Sequence, residues 1–130
     1  MKTIALVAHD GKKEEMIAFV EANYRFLKRF HLVGTGTTSK RITEATGLVV
    51  EAMLSGPLGG DAQIAARVAE GRVHCVIFLV DPLYAHPHEP DIQGLMRVCN
   101  VHNIPIATNV MTATILLNGL DANDIYPRTE

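Results

Sequence analysis

The chain of 130 residues has the length of one domain (1–130) able to bury roughly two-thirds of its unfolded surface, and its 12 Lys and Arg stand against 14 Asp and Glu. With a net charge of −2 and no long basic run or aromatic-interleaved patch, nothing draws it to nucleic acid, and no run approaches the roughly 18 apolar residues that would carry it into a membrane. Its two cysteines, Cys75 and Cys99, fall in apolar segments outside any CxxC pair, and the N-terminus lacks a secretory pattern, so a reducing, cytoplasmic setting without a disulfide is expected.

Residues 3–8 (TIALVA) are a short, nearly all-apolar run, the pattern of a strand buried on both faces of a parallel sheet, and they stop at His9-Asp10-Gly11. From Lys12 the spacing becomes helical, with Met16, Ile17, Val20, Tyr24 and Leu27 on one face, and the helix is expected to run to about Phe30. A second strand over 31–35 leads through Gly36-Thr37-Thr38 into a helix over 39–46, with Thr37 or Thr38 as N-cap and Gly47 as a left-handed C-terminal cap. A third strand over 49–54 meets the loop Ser55-Gly56-Pro57-Leu58-Gly59-Gly60-Asp61, and a helix over 62–70 follows with Ile64, Ala65 and Val68 inward and Gly71 closing it.

Residues 73–80 (VHCVIFLV) form the most apolar strand, expected at the centre of the sheet, and they end at Asp81. A proline-rich loop over 82–90 precedes a helix over 91–101, a fifth strand over 104–107 and a last helix over 112–117; residues 118–130 are polar and receive no assignment. Alternating strands and helices at this spacing predict an α/β fold, a single-domain open, mainly parallel five-stranded sheet with helices on both faces, Rossmann-like in kind. Ligands bind such sheets beyond the carboxyl ends of the strands, and the unusual polar groups of this chain all fall there.

Thr35-Gly36-Thr37-Thr38 offers hydroxyls and backbone N–H groups at a helix N-terminus, suited to a phosphate or equally to an ordinary cap. Lys12 and Lys13 could supply a cation there, or be solvated helix charges. The Ser55–Asp61 loop has three glycines and a proline where a tight turn needs one glycine, which suggests a backbone shaped around a ligand. Asp61 at a helix start reads first as a dipole-stabilised acid, and catalytic use needs further support. In His86-Pro87-His88-Glu89-Pro90-Asp91 the prolines hold imidazoles and carboxylates in fixed directions, as a preorganised acid/base site requires. His86, His88, Asp91 and His9 could alternatively ligate a metal, but their spacing matches no dedicated motif and no metal is expected.

Taken together, ALVAHD (5–10), GTGTT (34–38), EATG (44–47), SGPLGGD (55–61), DPL (81–83), PHEPD (87–91) and IPIATN (104–109) resemble the methylglyoxal synthases in order and spacing, from about Ile4 to Asn109. The resemblance implies a methylglyoxal synthase-like fold and a phosphate lyase that turns dihydroxyacetone phosphate into methylglyoxal and inorganic phosphate, with no cofactor, as a homohexamer. It implies Asp61 as general base, His88 as the polarising and proton-transferring histidine, Asp81 and Asp91 as supporting carboxylates and His9 as a further active-site histidine. It implies phosphate contacts from Lys13, Thr35, Thr37, Thr38, Ser55 and Gly56, with His9 and His88 also touching substrate. Family members often send a C-terminal arginine into a neighbour's phosphate site; here Arg128 is the sole arginine after Arg97, and the tail does not align. A non-catalytic regulatory domain that binds a small phosphate ligand, and a triose-phosphate isomerase acting on the same enediol, remain the alternatives.

Overall fold

The computed structural model describes residues 2–83 and 89–123, with side chains for 2–83 and 92–120. Five parallel strands, β1 (Thr3–Ala8), β2 (His31–Thr35), β3 (Val50–Met53), β4 (Cys75–Leu79) and β5 (Ile106–Ala107), form one sheet in the order β3-β2-β1-β4-β5. The helices between them are α1 (Lys13–Ala22), α2 (Tyr24–Leu27), α3 (Gly36–Thr46), α4 (Gly60–Ala69) and α5 (Glu89–Val101), and α6 (Val110–Asn123) follows β5. The parallel α/β architecture with helices on both faces is as the alternating pattern predicts.

Side chains alternate across each strand, and this sorts the core into two layers. Ile4, Leu6 and Ala8 of β1 with Cys75, Ile77 and Leu79 of β4 pack against Met16, Phe19 and Val20 of α1, Ile42 of α3 and Leu117 of α6. Ala5, Val7, Val76 and Phe78 face the other way, onto Ile64 and Val68 of α4 and Ile92, Leu95 and Cys99 of α5. Cys75 and Cys99 therefore lie on opposite faces of the sheet, and burial pushes the Cys99 thiol up to about 11.

Four expectations shift. The middle strand is β1, with β4 beside it, because the chain steps outward through β2 and β3 and then returns to β1's other side. The long helix expected over 12–30 breaks at Asn23: its side-chain amide donates to the Phe19 carbonyl at 2.8 Å, and its backbone N–H reaches Phe19 and Val20 at 3.1 and 3.2 Å. An asparagine competing for the helix's own carbonyls in this way ends α1. Helix α3 begins at Gly36, three residues early, with Thr35 as both the last strand residue and the N-cap, so neither Thr37 nor Thr38 caps it. The stretch assigned nothing beyond 117 continues as helix to Asn123. Gly47 closes α3 at φ 81°, the left-handed cap expected of it, and Gly71, expected to close α4, follows that helix at φ 77°.

The reversal from β3 to β4 is carried by α4, which is tied to the edge strand by charge. Glu51 on β3 accepts from Arg67 of α4 at 2.7 Å and pairs with the His31 ring on β2 at 2.9 Å. The Arg67 hydrogen bond first, and His31 second, hold the Glu51 carboxyl down at about 2. A depressed folded-state value stabilises the fold above the carboxyl's ordinary 4.5, and that contribution is lost as pH falls toward about 2. The urea midpoint of the wild-type protein should therefore exceed that of Glu51→Gln at neutral pH and converge on it between about 4.5 and about 2. A gap that persists unchanged across that window would remove the charge contribution from Glu51.

Candidate active site

Where the strand order reverses, β1 and β4 stay paired to their last residues, and the chain beyond them leaves toward opposite faces of the sheet, α1 on one and α5 on the other. A cavity of about 250 Å³ occupies this region; Val7, Ala8, His9, Asp10 and Lys13 line it from β1 and the start of α1, and Phe78 from β4. Thr35 and Thr37 enter from the β2–α3 junction, and Ser55, Gly56, Pro57 and Asp61 from the loop after β3. The volume falls below the roughly 300–1,000 Å³ of drug-sized pockets and suits a metabolite of a few heavy atoms.

Lys13 is the first residue of α1, where the helix dipole disfavours a cation, yet it is only 8% exposed. Its ammonium donates to the Ala8 carbonyl at 2.7 Å and lies 3.2 Å from the Asp10 carboxylate, which is itself in open solvent and contributes little. A buried cation beside a cavity is an anion ligand in waiting. Lys12, by contrast, pairs on the surface with Glu15 at 3.0 Å, so the solvated reading holds for it and fails for its neighbour.

His9 follows the last residue of β1 and is 5% exposed. Its Nδ1 accepts the Asp81 backbone N–H at 2.9 Å, and the ring meets Phe78 edge-on at 5.2 Å. Acceptance at Nδ1 places the neutral ring's proton on Nε2, making that atom a donor. Asp81 works here through its main chain: its carboxylate accepts the Leu83 N–H at 3.1 Å and covers Gly11, where a Cβ would come within 2.5 Å of Oδ2. Its side chain is not among the groups that line the cavity.

The β2 and β3 ends supply the polar floor. The Thr35 hydroxyl lies 3.4 Å from that of Thr38, which in turn lies 3.5 Å from the Ala8 carbonyl, and Ser39 donates to the Thr35 carbonyl at 3.0 Å. Thr35 makes no capping hydrogen bond to α3, whose first N–H groups need partners from elsewhere. Thr38 is buried behind this surface while Thr37 faces the cavity.

The glycine-rich loop folds into a 3-10 turn over Gly56–Leu58, with the Ser55 carbonyl accepting both Leu58 and Gly60 N–H groups at 3.0 and 2.9 Å. Gly59 turns the chain at φ 104° into α4. Gly60 then approaches so closely that a Cβ would stand 1.9 Å from the Leu54 carbonyl oxygen and 2.9 Å from the Thr35 methyl. This contact delivers Asp61 into the first turn of α4, 1% exposed, where it lines the same cavity as Lys13.

His9, Lys13, Thr35, Thr37, Ser55, Gly56 and Asp61 thus converge, Thr38 supports Thr35 from behind, and Asp81 fixes His9. His86, His88 and Arg128 lie outside the described residues, and Asp91 falls in the first turn of α5 without a described side chain. Among the described residues no group of three or more His, Cys, Asp or Glu is placed to hold a metal ion. Phe78 escaped the sequence reading as a cavity residue, because an apolar strand residue carries no signal.

A family model described as an MGS-like domain matches residues 15–108. The chain is 62% identical over 117 residues to a methylglyoxal synthase of Thermus thermophilus, covering 90% of this chain and 93% of that protein. It is 54% identical over 121 residues to a methylglyoxal synthase of Borreliella burgdorferi, covering 93% and 96%. The crystal structure of a methylglyoxal synthase from Elizabethkingia anophelis superposes with a TM-score of 0.85 at 43% identity, over 89% of this chain and 76% of that one.

The Gly60 contact makes a sharp prediction. Gly60→Ala should destabilise the protein by at least about 1–3 kcal/mol through overpacking and weaken inorganic phosphate binding. Gly94→Ala, in α5 with nothing within 4 Å of its Cβ, should instead stabilise by about 0.5–1 kcal/mol. Thermal unfolding with phosphate calorimetry checks both.

Proposed function

The chain belongs to the methylglyoxal synthase family, and from that premise we propose that it is a carbon–oxygen lyase converting dihydroxyacetone phosphate into methylglyoxal and inorganic phosphate. The observation that carries the reading is a carboxylate and an ammonium, Asp61 and Lys13, both almost fully buried and both lining one small cavity.

Asp61 takes a proton from the hydroxymethyl carbon, C3, leaving an enediolate phosphate. The C1–O bond to phosphate then breaks as the enediolate electrons form the new double bond to C1. Inorganic phosphate departs with the bonding pair, carrying the proton that the C3 hydroxyl gives up as the aldehyde forms, and the enolate left behind takes at C1 a proton equal to the one Asp61 removed, becoming methylglyoxal. Expulsion requires the C1–O bond to stand perpendicular to the enediolate plane, so the groups that hold the phosphate decide between elimination and isomerisation. Lys13, Thr35, Thr37 and the Ser55–Gly56 backbone are assigned that task, with Thr38 behind them, and donors aimed at the departing phosphate also stabilise its growing charge. His9, a donor at Nε2, and His88 are assigned to the substrate oxygens, with Asp81 and Asp91 in support. The reaction needs no cofactor.

The same reading makes the chain one cytoplasmic domain over 1–130 that assembles as a homohexamer, with phosphate as product and inhibitor. Leu54 and Leu58, 50% and 70% exposed on the loop beside the cavity, are apolar surface of the kind an assembly covers. No helix among the described residues is long and apolar enough to cross a membrane.

Incubation with dihydroxyacetone phosphate should yield methylglyoxal and inorganic phosphate in equal amounts. Glyceraldehyde phosphate as product would make it an isomerase, and binding without turnover a regulatory domain. Asp61→Asn should lose roughly 10²–10⁴ in kcat with folding retained, and near-wild-type turnover would take the general-base role away from Asp61. Lys13→Met should raise KM and weaken phosphate inhibition together, since a phosphate contact serves substrate and product alike.

A further inference from the structure

The lyase reading leaves unassigned what holds the Ser55–Gly60 loop in register with Asp61, and the residue in that position is Gln63. Leu54 immediately follows β3, which is an edge strand of the sheet among the described residues. Its backbone N–H donates to the Gln63 side-chain Oε1 at 2.7 Å. Its carbonyl accepts the Gly36 N–H at 3.3 Å and is the oxygen against which Gly60 packs. Leu54 is thereby held through both its N–H and its carbonyl, and the next residue is Ser55.

Gln63 stands two positions beyond Asp61 on α4, and its own N–H donates to the Gly59 carbonyl at 3.1 Å. One turn further along the same helix face, Arg67 bonds Glu51, three residues before Leu54. Two side chains at i and i+4 thus clasp the edge strand β3 and its exit. Arg67 sets the helix against the strand, and Gln63 sets the start of the loop against the helix turn that carries Asp61.

We propose that Gln63 is a positioning residue for the reaction, orienting the Leu54–Ser55 peptide and through it the Ser55–Gly56 phosphate contacts. A glutamine suits this because it carries an acceptor two methylenes out on an exposed side chain. Were it removed, water could satisfy the Leu54 N–H without locating it. Loss of Gln63 should therefore disturb ligand geometry while leaving global stability nearly intact, which separates a positioning role from a structural one. The proposal rests on the lyase reading for turnover, though its effect on phosphate binding does not.

The test compares Gln63→Met, which keeps length but lacks the acceptor, with Gln63→Glu, which retains one, and with Arg67→Met. Gln63→Met should raise both KM for dihydroxyacetone phosphate and the calorimetric Kd for inorganic phosphate about three- to tenfold, the size of one lost hydrogen bond. Its kcat should fall as well, because the same contacts orient the departing phosphate, while its Tm should stay within about 2 °C. Gln63→Glu should recover most of the loss, and Arg67→Met should lower Tm without moving KM. Unchanged KM and Kd in Gln63→Met would overturn the proposal, and so would equal losses in Gln63→Met and Gln63→Glu. A wild-type protein inert toward dihydroxyacetone phosphate, whose phosphate Kd nevertheless rises in Gln63→Met, would sink the lyase reading and still support the role of Gln63.

Discussion

The absence of a side chain at Gly60 is the constraint from which the site follows. The Leu54 carbonyl and the Thr35 methyl occupy the space where a Cβ would sit, so two separate pieces of chain, the end of β2 and the exit of β3, close on the α-carbon that opens α4. Proximity of this kind cannot be reached by side-chain adjustment, because the obstructing atom nearest the glycine is backbone. Once it is met, Asp61 has no freedom to leave the cavity, since it is the next residue and already helical. The left-handed Gly59 and the doubly accepting Ser55 carbonyl are the means by which the loop turns tightly enough to satisfy the contact.

Around that junction the topology supplies charge of the opposite sign. The chain moves outward from β1 to β3 on one face and returns along the other, so the first turn of α1 and the first turn of α4 approach the same crevice from opposite layers. One brings Lys13, the other Asp61. Each is costly to bury alone, and each is held by main-chain features: a carbonyl at the end of β1 for the ammonium and the helix N-terminus for the carboxylate. His9 joins them with its ring pinned by the Asp81 amide, a use of Asp81 that depends on backbone geometry rather than on its carboxylate.

Much of this was legible from residue order. Apolar runs of strand length, glycines after helices and polar residues clustered at strand ends identify the class of fold and the edge of the sheet where the cavity lies, and the motif set around SGPLGGD identifies the family. The errors have local causes. Asn23 lies inside a good helical pattern, and nothing in periodicity reveals that its side chain will take the Phe19 carbonyl for itself. Thr35 serves strand and helix at once, so a loop was expected where none exists. Lys12 and Lys13 are identical in type and adjacent, and only the tertiary packing separates the half-buried one from the buried one.

What the sequence alone determined, then, is which residue types stand at which strand ends, because strand and helix periods of two and 3.6 residues are local properties of the chain. Which strand end faces which is not local. The burial of Lys13, the tautomer of His9, the fit of Leu54 against Gly60 and the clasp from Gln63 all join residues far apart in the chain or in separate elements. They exist only because the strand order reverses beside β1 and the two faces of the sheet are packed independently. Those contacts were decided by tertiary structure, where the excluded volume of a single missing methyl group settles the distance between the glycine-rich loop and an acid.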